Sequence, residues 1–366
     1  MQLLPGNPVK NTMGKIAEKT LAGLCLESAA RYGKRIAFEI FKENKICTII
    51  SYRLMGIRAR QLALLLGRFG VKKGDKVLIL AENRPEWPLA WFGTALAGAV
   101  CIPLAENSSP FLIRHAIEKN SPAAICISRQ LCSKIAGLEY PAPLIFIDSI
   151  TGNDGYKTKH TATDDANISV SLNGIEKKLS LGEAQDPQPF HSAGSDDTAA
   201  IFYIGSNPQD ITYLEFSSGE LLLRAGCAKT KIFSRDRLLS TISLAHIFEC
   251  TQGLLRATAS GAMTIYLDSP PLPSTVINAA RALKPTIILA LPRVVHEFRC
   301  DFIEPQLKKD LLYRYAITRS LAYMKAGKKM LSALGKLVRC LEINGSLPED
   351  AKNFLHKISF PVEVYS

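Results

Sequence analysis

Residues 71–104 read VKKGDKVLILAENRPEWPLAWFGTALAGAVCIPL, and this stretch decides the fold. Lys72 to Asp75 make a turn around Gly74, and VLIL after it is a continuous apolar run. A strand covered on both faces reads this way, whereas a half-exposed strand alternates. Pro85 predicts a helix start, because its fixed φ suits the first turn and its missing N–H costs nothing there. AVCIPL then predicts a second strand. Trp87 to Ala105 holds no charged residue, a length that could cross a bilayer as one helix. Pro88, Gly93, Gly98 and Pro103 interrupt it, so a buried helix followed by a core strand is the favoured expectation. One spanning helix is the alternative.

The same alternation extends outward. Pro110 opens a helix to Asn120, and AAICIS is a third strand. Upstream, Ser51 caps a helix reaching Phe69, with Leu62, Leu65, Leu66 and Phe69 on one side and Gly70 as its stop. IAFEIF and KICTII flank Lys42-Glu43-Asn44 as a hairpin, and residues 16–32 have helical spacing ended by Gly33. From Ser149 to Asp197 the pattern dissolves into Ser, Thr, Asn, Asp and Gly. A second block then runs TAAIFYI, RLLSTIS, HIFECTQGLLRATASG, AMTIYLD, TVINAARALK, PTIILALP and a helix from Arg293. The expected fold class is α/β, with two doubly wound, mostly parallel-sheet subdomains packed together. Their expected ranges are 1–148 and 198–366, separated by a polar linker or surface excursion over 149–197.

The chain has 366 residues, 47% hydrophobic and 21% charged, which excludes collagen-like, coiled-coil and wholly disordered classes. A net charge of +12 favours an anionic partner, whether nucleotide, nucleic acid, CoA-like phosphates or a membrane surface. Nine cysteines without a CxxC pair and six histidines without HxH or HExxH predict neither a disulfide framework nor a metal site. Reduced, buried thiols place the chain in the cytoplasm. The N-terminal MQLLPGNPVKNTMGK lacks the apolar core of a secretory signal. Residues 306–340 form a basic helical region, with Lys308, Lys309, Arg314, Lys328 and Lys329 among its cations and Asp310 as its acid. Two readings stay open: peripheral contact with an anionic membrane, or a solvated helix with one packed side. Nucleic acid is not expected, because no stacking-aromatic pattern accompanies the charge.

Several segments, in order, resemble the adenylate-forming, AMP-binding enzymes, in particular the long-chain acyl-CoA synthetases. ENRPEWPLAWFGTALAGAVCIPL resembles a hallmark stretch of that family, and DDTAAIFYI the strand before its phosphate loop. LSTISLAHIFECTQGLLRATASGAMTIYLD resembles its PLAHxFE segment, with His246 at the histidine. KPTIILALPRVVHEF resembles its KPT…xxVPRVxE segment. LEINGSLPED and FPVEVYS resemble its GGAPLP loop and the approach to its YGxTE loop. The resemblance implies an AMP-forming ligation of fatty acid to CoA through an acyl-adenylate, with ATP, magnesium and CoA. It also implies a large N-terminal domain followed by a small mobile domain that contributes a lysine.

The family's phosphate loop, approximately YTSGTTGxPKG, works through glycine and hydroxyl residues that let backbone N–H groups reach the phosphates, with a lysine adding charge. Here the corresponding run is Tyr203-Ile204-Gly205-Ser206-Asn207-Pro208-Gln209-Asp210-Ile211-Thr212. Pro208 lacks a donor, Asp210 brings negative charge and Thr212 stands at the lysine. The resemblance implies nucleotide contacts at Gly205, Ser206 and Asn207, though an Asn-Pro turn without a phosphate role is favoured. It implies further contacts at Asn344, Gly345 and Ser346, and an adenine-stacking ring at Tyr365. His246 borders the acyl and nucleotide pockets in this reading. The alternative is a satisfied histidine at a helix start. No catalytic residue is assigned. The Thr-Glu pair and the C-terminal domain would follow Ser366, so the expectation is a truncated or degenerate member, inactive alone. The alternative is a non-enzymatic acyl- or nucleotide-binding or membrane-associated regulatory module.

Overall fold

The structure, a computed structural model, describes residues 20–149, 193–205, 209–268, 272–315 and 317–365. The strands are, in chain order, β1 (Ile36–Lys42), β2 (Lys45–Ser51), β3 (Lys76–Ala81), β4 (Val100–Ala105), β5 (Ala124–Ile127) and β6 (Leu144–Phe146). They continue with β7 (Thr198–Ile204), β8 (Thr212–Ser217), β9 (Arg237–Ser240), β10 (Met263–Leu267), β11 (Ile287–Ala290), β12 (Cys340–Asn344) and β13 (Val362–Tyr365). They form a six-stranded sheet, ordered β6-β5-β3-β4-β7-β8, and a seven-stranded sheet, ordered β13-β12-β11-β9-β10-β1-β2. Parallel pairing dominates both, and β8 returns antiparallel along β7 as an edge strand.

The chain divides into two compact units, and they are not consecutive halves. One takes Met1–Arg35, Ile50–Cys227 and Leu244–Ala259, and the other Ile36–Ile49, Ala228–Ser243 and Ser260–Ser366. The expected boundary near 149–197 therefore does not separate the sheets: β7 and β8 complete the sheet of β3–β6. β1 joins the later strands through β10, with Phe38 opposite Thr264. Such a pairing joins residues far apart in the chain, and local periodicity carries no signal for it. The polar stretch falls almost wholly outside the described residues.

In the first unit, residues 71–104 fold as a strand, a helix and a strand. β3 and β4 pair in register from Lys76 opposite Val100 to Ala81 opposite Ala105. The helix Glu86–Leu96 is buried nearly all round, with Trp87 and Trp91 stacked 5.5 Å apart. This accounts for its uncharged sequence, since a helix apolar on every face belongs in a core. Among the described residues no helix is long and apolar enough to cross a membrane. Ser51 caps the helix Tyr52–Arg68 by accepting from the Leu54 N–H at 3.2 Å, and Ser109 caps Pro110–Asn120 in the same way.

In the second unit, Glu43 and Asn44 take φ of 49° and 61°, the left-handed pair that a tight β1–β2 hairpin turn needs. Helices Pro273–Leu283, Arg319–Ala333 and Glu349–Lys357 contribute Val276, Ala280, Ala326, Met330 and Phe354 to a core closed by Leu239, Ile288 and Leu341. The basic region 306–340 is not one helix. It consists of Glu304–Lys309, Leu311–Arg314 and Arg319–Ala333, followed by a turn into β12. The first break falls at Asp310, whose extended backbone and side chain, accepting from the Leu312 N–H at 3.1 Å, start a new helix.

Candidate functional site

Ligands of open α/β sheets gather beyond the carboxyl ends of the parallel strands. In the first unit, β7 ends at Ile204, whose partner across the hairpin is Thr212. Gly205 follows with φ of 96°. A Cβ there would run into the main-chain carbonyl of Asp210, so geometry and packing both require glycine. Ser206 and Asn207 lie outside the described residues. What the described part offers a polyphosphate is unfavourable. The side-chain face of Gly205 meets a carbonyl oxygen, the exposed Asp210 adds a carboxylate, and Thr212 begins β8 where a lysine would supply charge. A phosphate cradle needs converging N–H groups and cations, and these residues do not fit it.

Below the loop the hairpin is held rigidly. Tyr203 Oη accepts from Asn120 Nδ2 at 2.7 Å, His115 meets the Tyr203 ring edge-on, and Tyr213 packs 5.9 Å away. The following LEFSSGEL segment is built for a helix start. Ser217 and Glu220 form reciprocal capping bonds of 3.2 and 2.8 Å, and Ser218 is buried.

His246 immediately precedes a helical stretch that passes into a π-helix at Glu249–Leu255. Its Nδ1 accepts from the Phe248 N–H at 3.2 Å, and its carbonyl accepts from the Cys250 N–H at 2.9 Å. Burial holds its pKa below the ordinary histidine value. A neutral imidazole with Nδ1 accepting carries its proton on Nε2. The Nδ1 bond ties the imidazole to the start of the helical stretch.

In the second unit, β11, β12 and β13 run parallel and end together. Asn344 and Tyr365 are register partners, and the Gly345 N–H donates to the Tyr365 carbonyl at 2.7 Å. Gly345 has φ of 110°, and a Cβ on it would lie 3.3 Å from Pro292 Cγ. Asn344, Gly345 and the half-buried Tyr365 are thus brought together, with the exposed Ser346 beside them. Chemically this is a main-chain turn walled on one side by Pro292, with Tyr365 on the neighbouring strand. Ser366 lies outside the described residues.

Three features escaped the sequence reading. Pro292, which walls Gly345, stands two residues past the end of β11, and that place is the available signal. Arg84 ties Glu82 (2.8 Å), Glu86 (2.9 Å) and Asp148 (2.7 Å) together at the end of β3. Two of those carboxylates adjoin it in ENRPEW, but Asp148 gives no local hint. Asp236 accepts from Arg339 at 2.6 Å, Thr286 at 2.8 Å and the Phe233 N–H at 2.7 Å. Burial alone would raise its pKa, but these bonds hold the carboxyl below its ordinary range. Among the described residues no three His, Cys, Asp or Glu side chains gather as a metal site.

A profile of the family described as AMP-binding enzyme matches residues 25–365. The fatty acyl-CoA synthetase A of Dictyostelium discoideum is 24% identical over 261 residues, covering 67% of this chain and 36% of that protein. Long chain acyl-CoA synthetase 8 of Arabidopsis thaliana is 24% identical over 340 residues, covering 84% of this chain and 46% of its own length. The chain thus spans less than half the length of either relative. The N-terminal domain of FACL13 from Mycobacterium tuberculosis superposes with a TM-score of 0.66 at 16% identity, over 95% of this chain and 76% of that one. Its fold is the fold described here.

Proposed function

This chain belongs to the AMP-binding enzyme family, with acyl-CoA synthetases among its relatives, and on that premise we propose that it is an acyl-CoA synthetase-like protein which binds AMP or an acyl-adenylate but does not activate fatty acids with ATP. One observation carries the reading. The glycine that should open a phosphate cradle packs against the Asp210 carbonyl, in a loop with a carboxylate and without the lysine. In the second unit Gly345 donates its N–H to the Tyr365 carbonyl, and this strand end supports a contact with the nucleotide base. Adenosine and one phosphate ask little of the degenerate loop, whereas ATP and magnesium ask for charge and donors it lacks. The family reaction, fatty acid with ATP and CoA to acyl-CoA, AMP and pyrophosphate, belongs to the relatives.

Pyrophosphate release and calorimetry test this on the purified chain. The expected result is no pyrophosphate above background with fatty acid, ATP, magnesium and CoA, and AMP or acyl-CoA binding at sub-millimolar concentration. Sustained turnover would overturn the loss of activation. Absence of binding by AMP, fatty acid and acyl-CoA alike would overturn the binding role. The same reading puts the chain in the cytoplasm with peripheral contact to a membrane, where acyl ligands partition.

A further inference from the structure

We propose that the segment from Lys308 to Lys329 is a docking face for an anionic lipid bilayer. The proposal assigns residues to the peripheral contact advanced above and rests on that contact, but not on the reading of the phosphate loop.

Large apolar side chains stand out along this segment. Ile317 is 93% exposed, Tyr315 69%, Leu311 67%, Leu321 50% and Met324 49%. They are not on a loose strand of chain. Thr318 Oγ1 donates to the Leu312 carbonyl at 2.8 Å, Arg319 Nε donates to the Tyr313 carbonyl at 3.3 Å, and Asp310 is ion-paired with Lys325 at 2.8 Å. These bonds tie the chain on both sides of residue 316 together, and Tyr315 and Ile317 are left exposed. The helix that follows sends Ala322, Ala326, Met330 and Ala333 into the core, which leaves Leu321, Met324 and Lys328 outward. The outer side carries Arg319, Lys325, Lys328 and Lys329 with Leu321 and Met324 between them.

The charge selects the partner. Glu304 is engaged by Arg299 and Lys308, and Asp310 by Lys325, so the acids of this face are already matched. Lys309, Arg314, Lys328 and Lys329 remain as an excess of exposed positive charge. Singly spaced apolar side chains among lysines and arginines suit the headgroup boundary of an anionic membrane, where the apolar tips insert and the cations meet phosphates. A nucleic acid would ask for a stacking platform, and here Tyr315 is the one strongly exposed ring.

Co-sedimentation of the full chain tests it, using vesicles of phosphatidylcholine alone and of phosphatidylcholine mixed with phosphatidylserine. Binding is expected to favour the anionic vesicles by about tenfold or more and to fall steeply with added salt. Arg314→Gln/Lys328→Gln/Lys329→Gln should weaken it by about a hundredfold, at roughly fivefold per cation. Ile317→Asp should reduce binding at every salt concentration. All these positions are exposed, and unchanged thermal unfolding checks that the variants fold. Ile317→Trp should shift its emission to the blue with anionic vesicles only. Equal or absent binding to the two vesicle types by the unaltered chain would overturn the membrane contact and this face together. Anionic preference that survives both the charge and the Ile317 variants would overturn the face and leave the contact standing. Binding to duplex or single-stranded RNA in place of vesicles would also overturn the proposal.

Discussion

At the end of β7 Gly205 has φ of 96°, and at the end of β12 Gly345 has φ of 110°. Both follow a strand of a mostly parallel sheet, at the edge where such sheets bind ligands. The chain then does different things. After Gly205 it loops back into an antiparallel strand, and the Asp210 carbonyl closes on the glycine. After Gly345 it moves off toward a helix, and the glycine N–H bonds the neighbouring parallel strand at the Tyr365 carbonyl. The first glycine closes a hairpin, and the second bonds the neighbouring parallel strand with Pro292 against it. A left-handed glycine at a strand end is thus no evidence of a working phosphate site. What fills the space beside it decides.

The largest expected effect comes from Gly205→Val. A β-branched residue is strained at this φ, and its Cβ meets backbone that cannot yield without opening the β7–β8 hairpin. Urea unfolding should show a loss of about 2–4 kcal/mol. AMP binding by the remaining folded protein should be unchanged. Lost AMP affinity without lost stability would show that Gly205 serves a ligand after all.

Gly345→Ala should act the other way round. The nearest obstacle to its Cβ is a proline ring carbon at 3.3 Å, a contact that small shifts relieve. The stability loss should be about 1–2 kcal/mol, from the φ penalty. AMP affinity should fall about tenfold, because relieving the contact with Pro292 shifts the main chain on which the base would lie. Calorimetry reads it, and an unchanged AMP affinity would remove the functional half of the comparison.

How far these sites were legible in the sequence follows from which interactions are local. The strand-helix-strand unit of 71–104 was readable because Gly74, Pro85 and a continuous apolar run punctuate it at short range. The cap at Ser51 was local too, while the Ser109 cap went unread beside Pro110. The pairing of β1 with β10, the closing of Asp210 on Gly205 and the reach of Arg84 to Asp148 were not, since each joins residues that no periodic pattern connects. Region 306–340 reads as a basic helical region because many cations face a single acid, Asp310, with apolar residues among them. Asp310 splits it by preferring an N-cap to a helix interior, a choice its residue type permits but does not announce. Gly345 and Tyr365 could be named from motifs, while their direct main-chain bond required the parallel register of β12 and β13.

A smaller effect separates the two strand ends by charge. Asp210→Asn removes the exposed carboxylate from the β7 loop without touching its backbone. One unit charge acting across several ångströms of water contributes about 0.5–1 kcal/mol, so ATP affinity should rise roughly two- to fivefold. AMP affinity should move less, since AMP lacks the two outer phosphates. Asp210→Asn/Thr212→Lys should enlarge the ATP gain further. An equal gain for AMP and ATP would mean that this loop does not face the polyphosphate end.

The smallest expected effect concerns His246, whose Nδ1 accepts from the Phe248 N–H in the first unit. Burial lowers its pKa below the ordinary value of 6.5, so the unfolded chain takes up this proton before the folded chain does. The stability due to neutral His246 is therefore fully present above pH 6.5 and is lost as pH falls from there through the folded value. His246→Gln keeps an oxygen able to accept from the Phe248 N–H but cannot be protonated. At neutral pH the variant should be slightly less stable than the unaltered chain. On acidification the difference should shrink, because only the histidine form pays for a buried proton. Urea unfolding on both sides of pH 6.5 measures it. A difference that widens as pH falls would mean that protonated His246 is favoured in the fold, and the helix-start assignment would give way to a partner that stabilises its charge.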